Sequence, residues 1–194
     1  MARAGLLLWL VLVAVTATGC LPRIPATDRT TAPASGASGA SETSDPGGVQ
    51  WRFVVIRHAE RTDDGTDDPA LSDAGLRRSA ELAGLLTAYA PGEAVYATRF
   101  RRAQQTAQAP AADWGVPVTT YDEQLSGRDL VTAIMTDHRQ GTILVVGHSD
   151  TVPEVVGYLC QCPVDPIAED DFARLFTVEL GADGTILGYT GRRY

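Results

Sequence analysis

Trp51-Arg52-Phe53-Val54-Val55-Ile56-Arg57-His58 and Thr142-Ile143-Leu144-Val145-Val146-Gly147-His148 decide the fold of this chain. Each is a short apolar, β-branched run of the kind that forms a buried strand, and each ends in a histidine. Around them the pattern alternates. Ser72 caps a predicted helix reaching to about Tyr89, whose apolar side would be Leu76, Ala80, Ala83 and Leu86. Ala94–Ala97 reads as a strand, Arg102–Asp113 as a helix, and Val116–Tyr121 as extended chain. Helices are predicted over Leu130–Arg139 and Val152–Leu159. The chain closes on strands Leu175–Leu180 and Thr185–Tyr189 around the turn Gly181-Ala182-Asp183-Gly184. Such alternation predicts an α/β fold: one three-layer domain over residues 49–194, with a mainly parallel sheet and helices on both faces. Open sheets of this kind bind ligands outside the carboxyl ends of their strands, where Arg57-His58 and Gly147-His148 both stand.

The segments before Val49 differ in character. Arg3 precedes an uncharged, mostly apolar run over residues 4–19, shorter than the roughly 20 residues a membrane-spanning helix needs. With the small residues Ala17-Thr18-Gly19 after it, residues 1–19 read as a signal peptide. Cys20 at that neck resembles the lipobox of bacterial lipoproteins, which implies a lipidated first residue and attachment to the membrane on its non-cytoplasmic side. Ala17 stands where such boxes favour leucine. A plain secreted protein and an uncleaved anchor are the competing readings. Residues 20–48 are rich in Pro, Ala, Ser, Thr and Gly, too poor in apolar side chains to offset their ordering entropy, and predict a disordered tether spanning about 30 Å.

Composition narrows the chemistry. The 194 residues are 44% hydrophobic and 21% charged, with a formal net charge of −8, and every one of the 16 basic residues is arginine. Bulk charge therefore disfavours nucleic acid as a partner, and any membrane attachment would run through a lipid anchor alone. A phosphate would have to be gripped by a few arginines aimed at one spot. Of 3 histidines, two sit at the strand ends, with Arg57 and Arg61 beside the first. A neutral imidazole is a nucleophile for phosphorus, arginine forks bind phosphoryl oxygens, and a second imidazole can donate to them as charge builds. A lone histidine at a strand end is commonly a polar cap on the core; two at equivalent ends point to a site.

Arg57-His58-Ala59-Glu60 after a strand resembles the RHG signature of the histidine phosphatase, or phosphoglycerate mutase-like, superfamily. The similarity runs on through Leu71-Ser72-Asp73-Ala74-Gly75, Thr98-Arg99-Phe100-Arg101-Arg102-Ala103-Gln104-Gln105-Thr106-Ala107 and Val146-Gly147-His148-Ser149-Asp150-Thr151, over about residues 51–160. The resemblance implies the phosphoglycerate mutase-like fold, His58 as a phosphorylated nucleophile, and Arg57, Arg102 and His148 as the rest of a phosphate pocket. It implies a metal-independent phosphatase without cofactor, acting on a small phosphorylated substrate. Ala59 replaces a glycine, Thr98 a serine, and Asp64 an asparagine of the pattern; a carboxylate there would repel phosphate. The general acid has three candidates: Glu123, Asp150 beside the second histidine, and Glu60. Arg61 either contacts phosphate or pairs with an acid in Thr62-Asp63-Asp64.

Rival chemistries fit less well. Gly147-His148-Ser149-Asp150-Thr151 half-matches a nucleophile elbow but lacks its last glycine, and no histidine follows it. No histidine–carboxylate pair has metal-ligand spacing such as H-E-x-x-H. A phosphoryl-transfer mutase would need inserted segments to lid the site, and the stretches between motifs are short. A non-catalytic phospholigand binder could dispense with His58. Cys160 and Cys162 stand roughly 6.6 Å apart on extended chain, the upper edge of disulfide geometry, so a bridge and two free thiols are equally open. Leu82 and Leu85 are read as core, and His138, in Thr136-Asp137-His138-Arg139, as a surface residue.

The lipid reading has a direct test. Cys20→Ser should move the mature protein from the membrane fraction to the soluble fraction, and unchanged membrane association would refute Cys20 as the anchor.

Overall fold

In chain order the elements are β1 (Trp51–Arg57), α1 (Asp73–Leu86), β2 (Gly92–Thr98), α2 (Arg101–Trp114), β3 (Val118–Tyr121), α3 (Gly127–Asp137), β4 (Gly141–Gly147), α4 (Thr151–Cys160), β5 (Arg174–Leu180) and β6 (Ile186–Arg193). They come from a computed structural model that describes residues 48–194. The signal segment, Cys20 and all but the last residue of the tether lie outside the described residues. Among the described residues no helix is long and apolar enough to cross a membrane.

The six strands form one sheet in the order β3-β2-β4-β1-β5-β6. β3, β2, β4 and β1 run parallel, while β5 and β6 close the sheet antiparallel. Alternation along the strands sorts the core into two layers. Phe53 and Val55 of β1, with Ile143 and Val145 of β4, pack beneath α3 and α4. Val54, Ile56, Leu144 and Val146 pack on the other face beneath α1 and α2. The central strands are buried on both faces, hence their unbroken apolar runs. Each such side chain contributes roughly 1.5–3 kcal/mol on burial.

Two expectations about α1 fail. Ser72 does cap it, its hydroxyl accepting from Gly75 N at 3.2 Å. The buried face, however, is Gly75, Ser79, Leu82, Ala83 and Leu86. Leu76 is 51% exposed and Leu85 37% exposed, so neither belongs to the core, and Ala80 is exposed as well. Large apolar residues drew the sequence reading, but small ones win because α1 lies close against its neighbours. Pro110 inside α2 has no N–H to give Thr106 O, and the Ser79 hydroxyl takes that carbonyl instead at 3.0 Å. A Cβ on Gly75 would collide with the Glu60 carbonyl, two residues beyond His58.

The remaining expectations meet the structure more closely. The β5–β6 turn closes as predicted, with Gly184 at φ 81°. Cys160 and Cys162 form a disulfide. Gln161 adopts the left-handed region at φ 49°, which turns the chain after α4 and brings the Cα atoms to 5.2 Å rather than the extended spacing. His138 is half-buried, not a surface residue: Tyr96 Oη lies 3.0 Å from its Nε2 and Glu93 Oε1 3.0 Å from its Nδ1, at the end of the sheet opposite the two strand-end histidines.

Gly75→Ala tests the close approach of α1. It should lower the unfolding free energy in urea by about 1–3 kcal/mol, although alanine is the better helix former; an unchanged or raised value would show that α1 has room.

Candidate active site

The carboxyl ends of the four parallel strands converge on one cleft. β1 pairs with β4 so that Arg57 lies opposite Gly147, and this register sets His58 beside His148; their ring centroids are 5.3 Å apart. β2, on the other side of β4, ends at Thr98 and delivers α2 with Arg102. β3 ends at Tyr121, two residues before Glu123. The cleft has a volume of about 480 Å³, and Arg57, His58, Arg102 and His148 all line it. So do Arg61, Glu123 and Asp150.

His58 is held on every side. Its own N–H donates to Gly147 O at 2.9 Å. Ala59 N donates to Thr106 Oγ1, which in turn donates to Arg102 O. The ring Nδ1 lies 2.8 Å from Ala59 O. A carbonyl only accepts, so Nδ1 carries the proton and Nε2 keeps its lone pair. Arg102 Nε donates to that Nε2 at 3.2 Å. Burial, with His148, Arg102 and Arg57 nearby, pushes the His58 imidazole down to about 3 despite the Ala59 bond, so the ring is neutral at pH 7. His148 is likewise pushed down to about 4, chiefly by burial and then by Arg102. Thr98 Oγ1 lies 2.9 Å from its Nε2.

The arginines differ in surroundings. Arg57 is buried at 3% exposure; NH1 donates to Ala168 O at 2.7 Å and NH2 to Glu169 at 3.1 Å. Phe172 lies across the guanidinium at 4.4 Å, and Nε is buried without a partner among the described residues. A buried orphan donor in the wall of a cleft is costly unless something binds there. Arg102 stacks on Phe100 at 4.4 Å, and its nearest carboxylate, Asp68, is 3.9 Å away. Arg61 forms no ion pair among the described residues, and its backbone bridges to Leu71. It faces the cleft instead of an acid in its own loop. Asp64 is turned back on that loop, accepting from the Thr62 and Thr66 hydroxyls and from Thr66 N, and does not line the cleft.

Among the acid candidates, Glu60 is removed: its carboxylate takes a bidentate pair from Arg78, outside the cleft. Glu123 does line the cleft, but Arg99 donates to it at 3.0 Å and holds it below the usual carboxylate range. Asp150 also lines the cleft and accepts from Thr151 N at the start of α4. Ser149 donates to Glu169 at 2.8 Å and meets no histidine, which removes the serine-hydrolase arrangement. Among the described residues no group of three or more His, Cys, Asp or Glu is placed to hold a metal ion.

Glu169, Phe172 and Phe100 escaped the sequence reading. Glu169 and Phe172 ride on the irregular stretch between α4 and β5, which carries no periodicity; its one signal is the acidic run Glu169-Asp170-Asp171 ending in Phe172. Phe100 was visible inside the Thr98–Ala107 motif, but nothing in spacing marks an aromatic as the platform beneath an arginine.

Residues 53–130 match the sequence family described as the histidine phosphatase superfamily (branch 1). No curated protein matches the chain. Similar solved structures include the protein histidine phosphatase SixA complexed with tungstate, at 22% identity and a TM-score of 0.57, covering 72% of this chain and 96% of that one. Mycobacterial glucosyl-3-phosphoglycerate phosphatase is similar at 13% identity and a TM-score of 0.57, covering 74% and 97%. A mutant phosphoserine phosphatase from Entamoeba histolytica with phosphoserine is similar at 13% identity and a TM-score of 0.55, covering 72% and 96%. The fold is that of the histidine phosphatases and their phosphoglycerate mutase-like relatives.

The neutral imidazoles make stability depend on pH. Their folded values of about 3 and about 4 lie below the 6.5 of a free histidine, so below pH 6.5 the unfolded chain binds protons that the folded chain refuses. The contribution is whole above about pH 6.5 and shrinks as pH falls towards those folded values. Urea midpoints should therefore drop between pH 7.5 and pH 5, where carboxylates stay largely ionised, and the drop should shrink in a His58→Asn/His148→Asn double variant. An equal drop in both proteins would contradict the buried, neutral assignment.

Proposed function

We propose that this chain is a phosphomonoester hydrolase of the histidine phosphatase superfamily, working through a phosphohistidine on His58. The observation that carries the reading is the unprotonated Nε2 of His58, set beside Arg57, Arg102 and His148 in one cleft. The match over residues 53–130, and solved neighbours that are themselves phosphatases, support it.

In the first step the Nε2 lone pair of His58 attacks phosphorus, an N–P bond forms, and the ester P–O bond breaks. Arg57 and Arg102 bind the phosphoryl oxygens throughout. The Nδ1–H to Ala59 O contact strengthens as the ring becomes cationic, because a carbonyl dipole faces the new charge. The leaving oxygen takes a proton from a carboxylic acid, for which Glu123 is the first choice and Asp150 the second. Glu123 is ionised beside Arg99 in the resting site; the approaching phosphate dianion raises its affinity for a proton. In the second step the resulting carboxylate accepts a proton from water as its oxygen bonds to phosphorus; the N–P bond breaks, inorganic phosphate leaves, and His58 returns to its neutral state. Arginines and imidazoles neutralise the charge, so no metal enters the scheme. Short connections between the motifs favour water over a second acceptor, hence a hydrolase over a mutase. The proposal includes export and a lipid on Cys20, which would hold the enzyme at the membrane outside the cytoplasm; that part rests on residues 1–20 of the sequence.

The decisive experiment traps the intermediate. With labelled phosphoester and EDTA present, wild type should yield an acid-labile, base-stable phosphoryl adduct and His58→Ala none, with turnover nearly abolished. Arg102→Ala should weaken both phosphate binding and turnover, since it removes a charge-assisted contact worth about 1.5–3 kcal/mol. Substantial turnover in His58→Ala, or an adduct mapping to Ser149, would refute the mechanism.

A further inference from the structure

Thr98 ends β2 and is wholly buried. Its backbone carbonyl accepts from the Gln104 amide at 2.7 Å. Its hydroxyl has one partner among the described residues, Nε2 of His148 at 2.9 Å. That contact has two possible directions. If Nε2–H donated to the hydroxyl, the hydroxyl proton would be buried with no acceptor, an arrangement that costs about 1–3 kcal/mol. If the hydroxyl donates to Nε2, both atoms are satisfied. The second arrangement forbids a proton on Nε2, and a neutral imidazole must then carry it on Nδ1.

We propose that Thr98 is a positioning residue that makes His148 a proton donor to the phosphoryl group, because its buried hydroxyl occupies Nε2 and confines the ring proton to Nδ1. His148 lines the cleft, and its Nδ1 has no protein partner among the described residues. The ring is fixed from its other side as well: His148 N donates to Thr151 Oγ1 at 2.9 Å, and Phe100 stands edge-on at 5.3 Å. Both histidines thus carry their proton on Nδ1 and still do opposite work. At His58 a carbonyl holds Nδ1–H and leaves a lone pair for phosphorus; at His148 a hydroxyl holds Nε2 and leaves an N–H for oxygen. A hydroxyl is required at position 98, which serine would also supply.

The donor role rests on the phosphatase reading, whereas the tautomer is a property of the free protein, and the test separates them. In the 15N-labelled full chain, ring-nitrogen correlation spectra at pH 7, assigned with His148→Gln, should show His148 protonated on Nδ1. Inorganic phosphate should shift that Nδ1–H signal. Thr98→Val, which keeps the shape and removes the hydroxyl, should populate Nε2–H, weaken the phosphate-induced shift and lower kcat on p-nitrophenyl phosphate roughly tenfold or more. Thr98→Ser should restore the Nδ1–H form and most of the turnover. Nε2–H in wild type, or no response of Nδ1–H to phosphate, overturns the proposal without any variant. Retention of tautomer and turnover in Thr98→Val overturns it as well. A wild type inactive on all phosphoesters, with the Nδ1–H signal still answering phosphate, overturns the phosphatase reading and leaves Thr98 with its assigned role in anion binding.

Discussion

The cleft depends on the in-register parallel pairing of β1 with β4, which sets Arg57 against Gly147. Side chains alternate along a strand, so a slip of one residue would send Phe53 and Val55 to the wrong layer. Both core clusters lock that register from opposite faces. The same lock carries the two histidines to one level, where His58 N binds Gly147 O. Gly147 has a share in this: a Cβ there would press on Thr151 Oγ1 at 2.8 Å and Tyr121 Oη at 3.1 Å, the groups that hold the turn into α4. The placing of the two histidines is here a by-product of core packing.

Charge is managed locally in a chain whose formal net charge is −8. Three arginines share the cleft with four carboxylates, and most of these are engaged. Glu123 is held by Arg99 and Glu169 by Ser149 and Arg57. Arg102 has only the 3.9 Å contact with Asp68, and Arg61 has no ion pair among the described residues, so their charge is left to the cleft that both line. On the proposed reading an acidic protein would bind phosphate on these terms, because short-range bidentate contacts outweigh a screened long-range field.

The legible part of the fold was the part governed by periodicity. The β-branched runs of β1 and β4, the Ser72 cap, and the β5–β6 turn with Gly184 all follow from backbone preferences that act within a few residues. Motif residues at strand ends were legible for the same reason, since a strand end is a local event. What escaped depends on distant partners. The inward face of α1 could not be read because Ser79 is buried for a carbonyl that Pro110 leaves free, 31 positions away in sequence, as the residue numbers show. Glu169 and Phe172 meet Arg57 across more than a hundred residues of chain, from a segment without regular structure. The Cys160–Cys162 bridge turned on whether Gln161 enters the left-handed region, which no propensity favours for glutamine.

In the resting cleft both arginines that would bind phosphate on the proposed reading already have a substitute partner. Arg102 donates to His58 Nε2 and Arg57 to Glu169, whereas His148 Nδ1 and Arg57 Nε have no partner among the described residues. On the proposed reading an arriving phosphoryl group would exchange contacts at these two arginines: Arg102 would have to leave His58 Nε2 before that nitrogen could attack, and Glu169 would have to share Arg57. Exchange of this kind gains little ground-state affinity at the two arginines, because there each new charge-assisted bond replaces an old one. The transition state is different. In the proposed reaction the leaving oxygen would gain negative charge there, His58 Nε2 would be committed to phosphorus and no longer compete for Arg102, and the Nδ1–H of His58 would face a carbonyl already in place. Contacts that were nearly even in the ground state become favourable at the barrier, which is the differential binding that catalysis requires.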